Sequence, residues 1–129
     1  MRTFAAIAAG LAVAIATATP ACAQPLPGVI DVAELRAGDV LIQPEGDSWA
    51  VVKILDVELA PDGSRIAHVL IYRRTPARPT LIATRNLEPL IRHAPLDALS
   101  LTQGYERLGN LPPSEEELEG YRFYRQAFE

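Results

Sequence analysis

The chain has 129 residues, with 12 basic and 16 acidic side chains and a net charge of −4 at pH 7. That acidic balance argues against a general nucleic-acid or anionic-membrane binder. The length suits one domain with a modest core rather than two domains.

Met1-Arg2-Thr3 is a short n-region with one positive charge, and Phe4 to Ala18 is an apolar run of mostly Ala, Ile, Leu and Val. Pro20 breaks it, and Ala21-Cys22-Ala23 puts small residues before Gln24. This order predicts a cleavable secretory signal peptide over 1–23. The run falls short of the roughly 20 residues a spanning helix needs, so no stable membrane insertion is expected after cleavage. Cys22 could instead be the lipidated residue of a lipoprotein, but Thr19-Pro20-Ala21 is a poor lead-in for that peptidase, and the ordinary site is preferred. The mature chain then runs from 24 to 129, has no cysteine, and carries 11 basic against 16 acidic residues. Its place is periplasmic or extracellular, where disulfides are permitted but not required.

In the mature part, 24–30 is Pro-rich and reads as an extended leader. Asp31 to Ala37 predicts a short helix, capped by Asp31 with Glu34 three residues on and Gly38 as the stop. Val40-Leu41-Ile42 predicts a strand. Trp49–Leu59 and Arg65–Arg74 predict a hairpin around Pro61-Asp62-Gly63, a three-residue loop whose glycine forms a G1 bulge. That register sets Val57 opposite Ala67, Glu58 opposite Ile66 and Asp56 opposite His68. It continues with Leu55 opposite Val69, Ile54 opposite Leu70 and Val52 opposite Tyr72, and it makes Asp56 and His68 a cross-strand polar pair. Both faces of the second strand are apolar, which predicts a sheet covered on both sides.

Thr80–Thr84 and Leu87–His93 are shorter strand candidates, the second at an edge because of Pro89. Ala94–Thr102 fits a helical turn or a loop, and Tyr105–Leu108 a last strand. Ser114 with Glu117 forms a capping box for a closing helix over 114–129. Leu118, Tyr121, Arg125 and Phe128 line one stripe of that helix, with Tyr124 beside it. The fold class is mainly β (small α+β). Five to six antiparallel strands within 31–113 form an SH3-like small barrel or a strongly bent sheet, closed by the C-terminal helix.

The chemistry-bearing residues are sparse. His68 and His93 lack any H-x-x-H, H-x-H or H-E-x-x-H spacing, and the reading includes no metal site and no cofactor. His93 and Asp97 flank a Pro-bent loop and could form a base with its orienting carboxylate. Ser100 and Ser114 lie nearby, but neither sits in a G-x-S-x-G elbow, and Asp97 as a cap of the following segment accounts for the same residues. Arg65, Arg73, Arg74, Arg78, Arg85 and Arg92 span 28 residues that hold one acid, Glu88. Arg73, Arg74, Arg78, Arg85 and Arg92 are the candidate binding residues for an anion or an acidic surface; solvated strand ends paired with the acidic helix are the plainer alternative. The expected function is a small exported, non-catalytic binding module acting on a protein or envelope partner, of which an inhibitor or immunity-type role is one version. The alternatives are a small hydrolase using His93 with Asp97, and an accessory subunit of an envelope complex.

Overall fold

The computed structural model describes residues 30–128. The signal peptide over 1–23 and nearly all of the leader lie outside the described residues. Five strands form one antiparallel sheet: β1 (Asp39–Glu45), β2 (Ser48–Leu59), β3 (Arg65–Tyr72), β4 (Pro89–Asp97) and β5 (Glu106–Asn110), in the order β4-β3-β2-β1-β5. Helix α1 (Glu115–Phe128) follows, and three 3-10 turns (Val32–Glu34, Ile82–Asn86 and Ala98–Leu101) complete the fold. The sheet stays open, so the bent sheet is realised and the barrel is not. Pro89 and Pro95 on the outer strand β4 lack N–H groups that a closing ladder would use.

The first predicted helix is a single 3-10 turn. The Asp31 carboxylate accepts from Ala33 N at 3.0 Å, as a cap should. Arg36 N then donates to the Asp39 carboxylate at 3.0 Å instead of continuing a helix, and the chain becomes extended at Leu35. Thr80–Thr84 is not a strand. Thr80 Oγ1 accepts from Ala83 N and the Thr84 hydroxyl donates to Leu81 O, which draws the segment into the Ile82–Asn86 turn.

The central hairpin turns where the sequence places it. Ala60 and Ser64 close the loop, Gly63 N donates to Ala60 O, and Gly63 sits at φ +91°, a conformation that favours glycine. Val57↔Ala67, Glu58↔Ile66 and Asp56↔His68 pair as expected, but the register slips by one beyond Asp56, giving Ile54↔Val69, Lys53↔Leu70 and Val52↔Ile71. Leu55 is the inserted residue. The bulge turns both Leu55 and Asp56 toward the helix side, where Leu55 joins the core and Asp56 bonds Tyr121.

The sheet divides the core into two layers. Leu35, Leu41, Val52, Ile54, Ala67, Val69, Ala98 and Leu101 form one, under the first and third 3-10 turns. Val40, Ile42, Val51, Leu55, Leu70, Tyr72 and Tyr121 form the other, under α1. This two-sided cover explains why alternate residues of β3 are apolar on both faces. Helix α1 begins with the predicted reciprocal cap: Glu117 N donates to Ser114 Oγ at 3.1 Å, and Ser114 N donates to the Glu117 carboxylate at 2.9 Å. Gly120 lets the helix lie close on β4, since a Cβ there would stand 3.1 Å from Arg92 O. The predicted stripe ends one turn early. Tyr121 is buried, Leu118 and Tyr124 are half-buried, and Phe128 is 76% exposed. Ser114→Ala is expected to cost about 0.5–2 kcal/mol, the usual loss for such a cap, read as a lower urea midpoint with unchanged slope.

Candidate functional site

Three of the five candidate arginines have carboxylate partners. Arg73 Nε lies 3.1 Å from Glu88, Arg74 pairs with Glu45, and Arg78 pairs with Glu106 while its guanidinium stands 5.8 Å from the Trp49 ring centroid. These acids belong to turns and strand ends, so the expected pairing with the acidic helix does not occur. The helix acids have other partners: Glu115 pairs with Arg122 of its own helix, and Glu117 pairs with Lys53.

Arg85 and Arg92 differ. Among the described residues, no carboxylate lies within ion-pair distance of either. Both line one recess of about 160 Å³ between the Ile82–Asn86 turn, β4 and the start of α1. Leu70, Tyr72, Leu87 and Pro89 give it apolar walls, and Glu116 and Glu117 stand on the helix side. Arg85 also lines a neighbouring recess of about 340 Å³ with Lys53, Leu111 and Pro112. A volume of about 160 Å³ is below the usual range for drug-sized ligands; it suits a carboxylate or a short side chain. The Glu117 charge is already engaged, by Lys53 Nζ at 2.8 Å, the Tyr72 hydroxyl at 2.9 Å and Ser114 N. Burial pushes the Glu117 carboxyl up, but these donors outweigh it and hold the group below its ordinary value. Burial and the same carboxylate push the Tyr72 hydroxyl up, which keeps it a donor.

His93 and Asp97 are not brought together. They are four residues apart on one strand, about 13 Å of rise. Asp97 caps the 3-10 turn after it, its carboxylate accepting from Leu99 N at 3.0 Å and its carbonyl from Ser100 Oγ at 2.7 Å. His93 meets His68 instead, with His93 Nε2 2.9 Å from His68 Nδ1. The other nitrogen of His68, Nε2, lies 2.8 Å from the Glu58 carboxylate. The predicted Asp56–His68 pair is therefore replaced. Asp56 and His68 are opposite in register, but Asp56 accepts from the Tyr121 hydroxyl at 2.8 Å, and Glu58, two residues on, takes the imidazole.

Glu58 only accepts, so His68 Nε2 carries a hydrogen; with His68 neutral its Nδ1 accepts from His93 Nε2, and with His68 charged its Nδ1–H donates to His93 Nε2. Tyr121 and Tyr124 cover both rings, at centroid distances of 4.5 Å from Tyr121 to His68 and 4.3 Å from Tyr124 to His93. Arg125 donates to the Tyr121 hydroxyl at 3.0 Å. Burial pushes the His93 imidazole below its ordinary value, and the charge of His68 adds to this. The chain Glu58–His68–His93 can hold and pass a proton. Among the described residues no hydroxyl or thiol is hydrogen-bonded to either imidazole, and no group of three His, Cys, Asp or Glu side chains could hold a metal ion.

Sequence reasoning missed Glu58, Tyr121 and Lys53 as partners in polar networks. The signal for Glu58 was its place two residues beyond Asp56 on the same strand face. Nothing local tied Lys53 to Glu117, which lies 64 positions away. No protein-family model, no curated protein and no solved structure matches this chain.

Proposed function

We propose that the mature chain is a small exported binding module, without catalysis of its own, that holds an acidic group of a protein or envelope partner between Arg85 and Arg92. One observation carries this reading: of the five candidate arginines, the two without carboxylate partners among the described residues line the same recess, whose walls are apolar apart from Ser114, Glu116 and Glu117 at the helix start. Arginine suits the role because its planar fork binds carboxylates and phosphates through two parallel hydrogen bonds. An unpaired arginine also keeps its charge for a partner, whereas Arg73, Arg74 and Arg78 would first have to release one. Export is part of the proposal and rests on the order of the first 23 residues. No helix among the described residues is long and apolar enough to cross a membrane.

The test is a pull-down from envelope extract with the tagged protein, compared across two double variants. Arg85→Glu/Arg92→Glu is expected to lose the partner, because like charges brought together across an interface cost several kcal/mol. Arg73→Glu/Arg74→Glu is expected to keep it. The reverse pattern, or capture unaffected by either change, overturns the assignment. N-terminal sequencing of the exported product is expected to begin at Gln24. A start at Cys22 with a lipid-sized mass increment would replace the soluble form by a membrane-anchored one.

A further inference from the structure

The imidazole–imidazole contact beneath α1 carries a consequence independent of the arginine recess. Two rings joined by one N–H···N bond hold a single proton between them. One added proton charges His68, whose Nδ1–H then donates to His93 Nε2, and one N–H···N bond remains. A second puts an N–H on each side of a gap of 2.9 Å, and the bond is lost.

The surroundings favour one such charge, on His68 beside the Glu58 carboxylate, and offer little to a second on His93. From β2, Glu58 already accepts from His68 Nε2, and Asp56 is bound by the Tyr121 hydroxyl. From α1, the rings of Tyr121 and Tyr124 lie over the pair, and Arg125, the cation of that face, stands 5.7 Å from the Tyr121 ring centroid. On β4 itself, His93 is followed by Ala94 and Pro95 and preceded by Arg92, another cation. A ring face attracts a cation only weakly at such half-exposed sites. Burial acts against the charged form, and the net displacement of His93 is downward.

The helix is weakly held just where this pair lies. Beyond Tyr121, the side chains of Arg122, Phe123, Gln126, Ala127 and Phe128 are exposed, and Tyr124 seats the last turns against His93. Local opening of those turns leaves the apolar layers around β1 and β2 intact.

We propose that the His68–His93 pair is an acid-released latch for the C-terminal half of α1. At neutral pH the shared N–H···N bond and the flat ring pair give Tyr121 and Tyr124 their seat. In acid the protonated rings part and take up water, and the helix from Arg122 onward leaves the sheet. The sign follows from linkage. A histidine held below its ordinary value binds fewer protons in the closed state than in the open one. Stability of the closed state is therefore full above about pH 6.5 and falls as the pH drops toward the closed-state value. Free carboxyl groups titrate near about 4 and free imidazoles near about 6.5, so the comparison is made at pH 5.

Hydrogen exchange read by mass spectrometry on the purified protein, at pH 7.5 and pH 5.0 and corrected for intrinsic rates, tests the latch. Amides of 122–128 are expected to exchange severalfold faster at pH 5.0, with about 30-fold as the ceiling for one imidazole of ordinary open-state value. Amides of β1 and β2 are expected to stay unchanged. His93→Gln keeps a donor but cannot titrate, and is expected to abolish the difference. A wild-type ratio below about twofold, or an undiminished ratio in His93→Gln, overturns the proposal. Should that variant fail to fold, imidazole nitrogen NMR of the wild-type protein decides. Coincident midpoints for the loss of the N–H···N coupling and for the shifts of the α1 amides support the latch; separate midpoints refute it.

Discussion

Glu117→Ala is expected to destabilise the fold by about 3–5 kcal/mol, because it leaves a buried ammonium without its counter-charge. Lys53 lies in the middle of β2 with its side chain 5% exposed, and Glu117 is its ion-pair partner at 2.8 Å. The same carboxylate accepts from the Tyr72 hydroxyl and completes the cap of α1. One substitution thus removes three bonds and strands one charge. Lys53→Met combined with Glu117→Gln is expected to recover most of the loss. Methionine has no charge to strand, and glutamine can accept from Ser114 N through its carbonyl oxygen while its amide nitrogen donates to the Tyr72 hydroxyl. A double-mutant cycle in urea separates the two effects. If the single and double variants lose the same amount, the ammonium has found water and is not buried. Glu117 also gives a pH dependence of its own. Its carboxyl is held below its ordinary value, so its contribution is full above about pH 4.5 and is lost as the pH falls below that. That window lies under the histidine window and is expected to disappear in Glu117→Ala.

Tyr121→Ala is expected to cost about 3–5 kcal/mol, the range for deleting a buried aromatic ring. Tyr121 is the buried residue of α1, at 6% exposure. Its ring packs on His68, and its hydroxyl donates to Asp56 while accepting from Arg125. Tyr121→Phe is expected to cost about 1–3 kcal/mol, since it keeps the ring but leaves Asp56 without that donor. Leu118, which the stripe alone would make the main anchor, is only half-buried, and Leu118→Ala is expected to cost about 2 kcal/mol or less. Urea melts followed by circular dichroism give the ranking. A loss for Leu118→Ala equal to that for Tyr121→Ala would mean that the helix is held by its apolar stripe and not by the tyrosine.

Local chemistry in the sequence determined the hairpin turn, the helix cap and the two-sided sheet. Pro61-Asp62-Gly63 admits few backbone paths, and Gly63 takes the positive φ that the bulge needs. Ser114 and Glu117 satisfy each other's amides within one turn of helix. The apolar character of β3 on both faces required cover above and below, and both layers of the core provide it. Each of these outcomes depends on neighbours within a few residues or on a period of two, and both are visible in one dimension.

Tertiary structure alone decided the polar partners. Asp56 and His68 do stand opposite each other, yet their bonds go to Tyr121 and to Glu58 with His93. The choice was made by a helix that arrives from 65 residues away and presents a hydroxyl to Asp56. The bulge at Leu55 has a related cause: it turns two consecutive side chains to the helix face, and only a docked helix rewards that. The arginines were legible as a run, but their charges were not. Glu88 reaches Arg73 because β3 and β4 are neighbours, Glu45 and Glu106 meet Arg74 and Arg78 through the loop after β3, which bridges to Trp49 at Thr75, and Arg85 and Arg92 are left facing an open recess. Hydrogen bonds and ion pairs are short-ranged and satisfied by whichever group arrives in reach, so they follow the fold, whereas turns, caps and apolar periodicity precede it.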